Sequence, residues 1–220
     1  MKSKIALISG LLTISHMSYA AIDMYSVNVP ADARPSAPSA MMMQAVKEQK
    51  EKGYIERTSL KYNYLANIEK RAKFATKADI KDLELVNNPS ELLIVPNLKT
   101  VPSSAKASTI GYATIGTFLK DAGWTGITEV FKSGIGVCQF SHSDLKASNG
   151  GYSLSEKDER RDVNDKYTYV EIEGKVNYGF SYEVGWFDEL NMYTLSCVNK
   201  EFSKEFTDKV IELARQIDKG

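Results

Sequence analysis

Histidine is almost missing from this chain. Of two in 220 residues, His16 lies in an N-terminal stretch expected to be removed, which leaves His142 alone. A zinc site would then need carboxylates or water for its other ligands, and neither HExxH nor HxH spacing occurs. There is likewise no GxGxxG, P-loop, GxSxG or EF-hand loop. No catalytic residue, metal or cofactor is therefore assigned. Ser141-His142-Ser143-Asp144 holds the residue types of a hydrolase triad. Neighbours on a strand point alternately to opposite faces, so these four cannot form a triad by themselves.

Charge of one sign is also lacking. Lysine and arginine total 28, and so do aspartate and glutamate. A nucleic-acid partner calls for a basic stripe, and membrane-surface binding for a polybasic run; neither is present.

Long apolar runs are absent too. Ile5 to Ile14 spans ten residues, against about 20 for a bilayer crossing. Lys2 and Lys4 precede it, and Ser18-Tyr19-Ala20 follows with small residues where a signal peptidase cuts, so residues 1–20 read as a signal peptide. Its removal takes away two lysines and no acid, leaving 26 bases against 28 acids. The mature chain is expected in the periplasm or outside the cell, with no membrane span after cleavage.

Cysteine occurs only twice, as Cys138 and Cys197. In an exported protein this reads as one disulfide rather than a CxxC redox pair. Closing a loop of about 60 residues stabilises by about 4 kcal/mol in the chain-entropy account.

The chain then divides as follows. Residues 21–40 carry Pro30, Pro35 and Pro38 among small polar residues and read as a flexible tail. Residues 41–86 read as a helical region. Met41-Met42-Met43 opens one helix that stops at Gly53, Thr58 or Ser59 caps a second with an apolar stripe from Leu60 to Ala72, and a third runs from Lys77 to Val86. Residues 87–108, with three prolines, read as a linker, and residues 109–220 as a disulfide-tied α+β domain. Within that domain Ser108 or Thr109 begins a helix ending at Gly123, a reading that Gly111 and Gly116 weaken, with a loop of strand character as the alternative. Asp144 to Asp165 is a polar, charge-rich insertion.

The organising stretch is residues 135–199. Ile135–Phe140 and Tyr193–Val198 hold the cysteines, and Tyr167–Glu173 and Lys175–Val184 lie between. The fold class expected is α+β: an antiparallel sheet of about four strands, a C-terminal helix packed on it, and a helical N-terminal region before it. Ser203 starts that helix, with Phe206, Val210, Leu213 and Ile217 on one stripe.

Alternation sends Tyr178, Phe180, Tyr182 and Val184 to one face, with Trp186 and Phe187 in the next connection. This aromatic set is either core beneath the last helix or a surface for a partner. Tyr178, Phe180, Tyr182, Trp186 and Phe187 are the candidate partner-binding residues. The function expected is that of an exported, non-enzymatic binding or accessory protein of the bacterial envelope or secretome. Its partner would be another protein, met through the aromatic face, the Asp144–Asp165 insertion or the helical N-terminus. The alternatives are a hydrolase using His142 or the carboxylates near Trp186 (Asp188 and Glu189, with Glu171 and Glu183), and a secreted host-directed factor.

Overall fold

The computed structural model describes residues 24–27, 40–68, 85–155, 160–188 and 190–220. The expected signal peptide, most of the expected tail and most of the third expected helix lie outside these residues. In chain order the elements are β1 (Met24–Val27), α1 (Ala40–Lys52), β2 (Ile55–Glu56), α2 (Leu60–Ala66), β3 (Ser108–Leu119), β4 (Gly123–Ser133), β5 (Gly136–Asp144), β6 (Tyr152–Ser155), β7 (Arg160–Val163), β8 (Lys166–Lys175), β9 (Gly179–Asp188), β10 (Asn191–Asn199) and α3 (Lys204–Lys219).

Eight strands form one mixed sheet in the order β2-β8-β9-β10-β5-β4-β3, with β7 joining the β8 edge. All pairs are antiparallel except β2 on β8. Two meanders, β3-β4-β5 and β8-β9-β10, meet where β10 lies against β5. The expectation of about four strands behind a helical N-terminal region is overturned.

Three physical reasons account for it. First, every residue of β4 from Thr125 to Phe131 is buried, so the strand lacks the polar alternation of a half-exposed one. Second, the glycines that looked like breaks in a helix sit at the irregular places of β3 and β4. Gly123 has φ +92°, and a Cβ there would fall 2.5 Å from the Leu93 carbonyl oxygen, so only glycine fits. Third, the Asp144–Asp165 insertion contains β6 and β7. β6 pairs with β1, which places Met24–Val27 of the expected tail in a strand.

The β8–β9 turn lies at Val176–Tyr178, beyond the expected break between Tyr167–Glu173 and Lys175–Val184, because Lys175 pairs with Gly179 and the positive φ values of Asn177 and Gly179 turn the chain there. Tyr178 thus leaves the aromatic row and sits exposed at the hairpin tip.

Helices cover both faces of the sheet. Ser203 caps α3 by accepting a hydrogen bond from the Phe206 amide, and Val210, Leu213, Ala214 and Ile217 are buried against the sheet. On the opposite face Ser59 caps α2, and Leu65 of that helix and Ile68 just after it are buried over Val130. The expected linker belongs to this packing as well, since Val95, Val101 and Ala105 are buried and the latter two join the core under α3.

The β8 edge is closed in an unusual way. Between the parts paired with β7 and β2, the Gln49 side chain donates to the Val170 carbonyl (2.5 Å), and the Ile172 amide donates to Gln49 Oε1 (3.4 Å). One side-chain amide stands in for a strand residue on an edge that would otherwise invite pairing. Gln49→Ala should cost about 1–3 kcal/mol in urea denaturation, one modest term for each lost hydrogen bond. Gln49→Glu should cost at least as much, because a carboxylate cannot donate to Val170. A Gln49→Glu protein as stable as wild type would refute this role.

Candidate functional site

The groups singled out for chemistry fall on two faces, and strand parity decides which. His142, Trp186 and Asp188 lie on the α3 face, whereas Glu171 and Glu183 lie on the α2 face. The structure therefore separates the proposed carboxylate group. Glu189 lies outside the described residues.

On the α3 face hydrogen bonds and one ion pair join residues far apart in sequence. The Lys99 amide donates to His142 Nδ1 (2.6 Å), and His142 Nε2 pairs with Asn191 Oδ1 (2.9 Å). Asn191 Nδ2 donates to Asp188 Oδ1 (2.8 Å), and the Tyr193 hydroxyl donates to Asp188 Oδ2 (2.9 Å). Lys166 lies 3.8 Å from Asp188 and donates to Asp218 Oδ1 (2.5 Å), which also accepts from Trp186 Nε1 (2.9 Å). Asn164 donates to the other Asp218 oxygen (2.9 Å).

These bonds fix the imidazole. A backbone amide can only donate, so Nδ1 is the acceptor and the proton sits on Nε2. Burial holds His142 below its ordinary pKa, outweighing the Asn191 hydrogen bond and the charge of Asp188. The ring is 2 % exposed and both nitrogens are engaged. It has no free nitrogen with which to take a proton from a nucleophile.

On the α2 face Glu183 contacts Lys61 and accepts from the hydroxyls of Tyr169 (2.7 Å) and Ser196 (3.1 Å). Burial works against its ionisation, but the Lys61 charge and these hydrogen bonds prevail and hold Glu183 below the usual carboxylate range. Lys61 also donates to Ser196 Oγ (3.1 Å), a serine–lysine contact of the kind some hydrolases use. Here Ser196 is buried and the ammonium is already paired with Glu183.

Glu171 stands directly opposite Glu183. Burial, then the hydrogen bond and charge of Glu173 and the charge of Glu183, push it up to about 7, with Arg57 opposing. A carboxyl raised in the folded state favours folding at low pH, and that contribution is lost as pH rises through its folded pKa. A histidine lowered in the folded state does the reverse, its contribution being lost as pH falls below its ordinary value. Glu171 and His142 thus act in opposite senses across mildly acid pH.

The candidate partner-binding residues are mostly enclosed. Phe180, Tyr182 and Trp186 are buried under α3, with Tyr182 edge-on to Phe206 (4.8 Å). Phe187 is buried on the other face, stacked on Tyr152 (4.2 Å). Tyr178 alone is exposed. Cys138 and Cys197 form a disulfide between directly paired positions of β5 and β10.

Sequence reasoning missed Asn191, Lys166, Asp218, Lys61 and Tyr169, whose roles appear only once strands pair. It also missed Glu129, which is fully buried. Its signal was a charge on the face shared by Ile127 and Phe131.

Between residues 104–107, the β4–β5 turn and α3 lies a shallow groove of about 440 Å³, floored by Ala105, Ile135 and Leu213. Among the described residues no group of acids and histidines has metal-binding geometry, and no helix is long and apolar enough to cross a membrane. No family model, curated protein or solved structure matches this chain.

Proposed function

We propose that this chain is an exported, non-enzymatic protein that binds another protein in the bacterial envelope or secretome. The observation that carries the reading is where its apolar side chains remain outside. Of three surfaces that the sequence offered, the aromatic face is filled by α3 and the chain's own rings, and the insertion is engaged through β6 and β7. What remains is α1. None of its described side chains is buried, and Met41, Met43 and Val46 are exposed. Methionine suits such a surface because its flexible, polarizable side chain adapts to a partner. A buried disulfide supports export, since such bonds persist in oxidising compartments. The hydrolase reading is weakened by the engagement of His142 and Ser196 in internal contacts.

The test has two arms. N-terminal sequencing of mature protein should begin at Ala21. Crosslinking in intact cells, with culture medium in parallel, should capture a partner from wild type and about tenfold less from Met43→Glu/Val46→Glu, equivalent to about 1.4 kcal/mol. Capture unchanged by that variant would remove α1 from the reading. Recovery from the medium alone, with no partner, would remove the envelope version.

A further inference from the structure

We propose that residues 96–100 form a pH-gated strap, latched onto the sheet by neutral His142 and released when that ring takes a proton. This is independent of the partner reading. The strap hangs between two anchors. At one end the Val95 amide donates to the Trp124 carbonyl (2.9 Å), and at the other the Val101 amide donates to Glu129 Oε2 (2.8 Å). Val95 and Val101 are buried, but none of residues 96–100 is. The bond from the Lys99 amide to His142 Nδ1 ties the middle of the strap to the sheet.

That bond exists only for the neutral ring. Asn191 turns its Oδ1 toward His142 because its Nδ2 is held by Asp188, so Nε2 must carry a proton and Nδ1 must accept. An imidazolium carries N–H at both positions. Nδ1–H would then face the Lys99 N–H, donor against donor. The ring is buried against Tyr193 (4.5 Å between centroids), so turning it away from both partners would break that contact as well. Moving the strap is the available relief.

The surroundings set the sign. The Lys99 side chain on the strap opposes the imidazolium, while Asp144 on β5 and Asp188 on β9 favour it. From β10 come Asn191 and Tyr193, and β4 presents apolar Ile127 opposite His142. Burial is the largest influence and disfavours the charged ring. The strap is therefore latched at neutral pH and opens on acidification, below the ordinary histidine range.

The measurement is the protection factor of the Lys99 amide in hydrogen exchange, corrected for intrinsic pH dependence. A local readout is needed because Glu171 moves global stability the other way over the same range. Between about pH 7.5 and about pH 4.5, Lys99 protection should fall about tenfold for each unit by which the pKa of His142 lies below that of a free histidine. Protection in the β9 core should show no such fall. In His142→Gln, a neutral side chain that can still accept and donate, the drop should vanish. Should that variant fail to fold, the ring nitrogens of wild type decide by NMR: the Nε2–H tautomer should titrate together with the Lys99 amide shift. Unchanged Lys99 protection at low pH, an equal loss in His142→Gln, or a ring that titrates without moving Lys99 would overturn the proposal.

Discussion

Replacing Lys106 with methionine is expected to destabilise the protein by about 3–5 kcal/mol. Glu129 is fully buried on β4, and its carboxylate is satisfied from three directions. Lys106 Nζ and the Thr109 hydroxyl donate to Oε1 (2.5 and 2.7 Å), and the Val101 amide donates to Oε2. Lys106 supplies the charge that offsets this burial, and methionine keeps most of its volume while deleting that charge. The remaining carboxylate would be unpaired inside the sheet, which costs far more than a net hydrogen bond. Urea denaturation should show the midpoint falling by about 1–3 M at an unchanged slope. Lys106→Arg should recover part of the loss. A loss below about 1 kcal/mol for Lys106→Met would mean that water or another cation reaches Glu129.

Cys138→Ala/Cys197→Ala should cost about 4 kcal/mol. The two residues are 59 apart in sequence, so the bond removes much of the freedom of the unfolded chain. The native state loses little shape, because β5 and β10 already pair along their length. Both sulfurs are fully buried, so reductant should act on the native protein only through opening of the sheet. With total stability of about 5–15 kcal/mol expected for such a domain, loss of the bond together with Lys106→Met should remove about 7–9 kcal/mol, much of that margin. Thermal melts of the double-alanine variant, with and without reductant, check this. A variant melting with wild type would show that the unfolded chain is already compact around the same contacts.

Local features of the sequence were legible where one residue acts on its immediate neighbours. Ser59 and Ser203 cap their helices, and the stripe Val210, Leu213 and Ile217 faces the sheet. The alternation of Phe180, Tyr182 and Val184 marked the side of β9 that α3 covers. The strands of residues 108–133 stayed undecided between helix and strand because their cues conflict. Glycines at bulges and turns mimic helix breakers, and β4 carries a buried acid where an apolar residue is expected. The third expected helix, from Lys77, lies mostly outside the described residues.

The candidate sites were legible as residue types but not as groupings. Asp188 and Glu183 are five apart on one strand, and parity alone sends them to opposite faces. Gln49 gives no sign in the sequence that it will close the β8 edge.

What the sequence by itself determined is the inventory: two cysteines with one possible pairing, a single histidine after the expected cleavage, balanced charge, and helices with caps and stripes. These are properties of composition and short-range spacing. Tertiary structure decided the rest, because the polar contacts that organise the sheet are long-range. His142 receives its proton-bearing tautomer from Lys99 and Asn191, Glu129 its cation from Lys106, and β8 its edge cap from Gln49. Such partners are chosen by strand order and register, which depend on packing the whole sheet between its two helical layers.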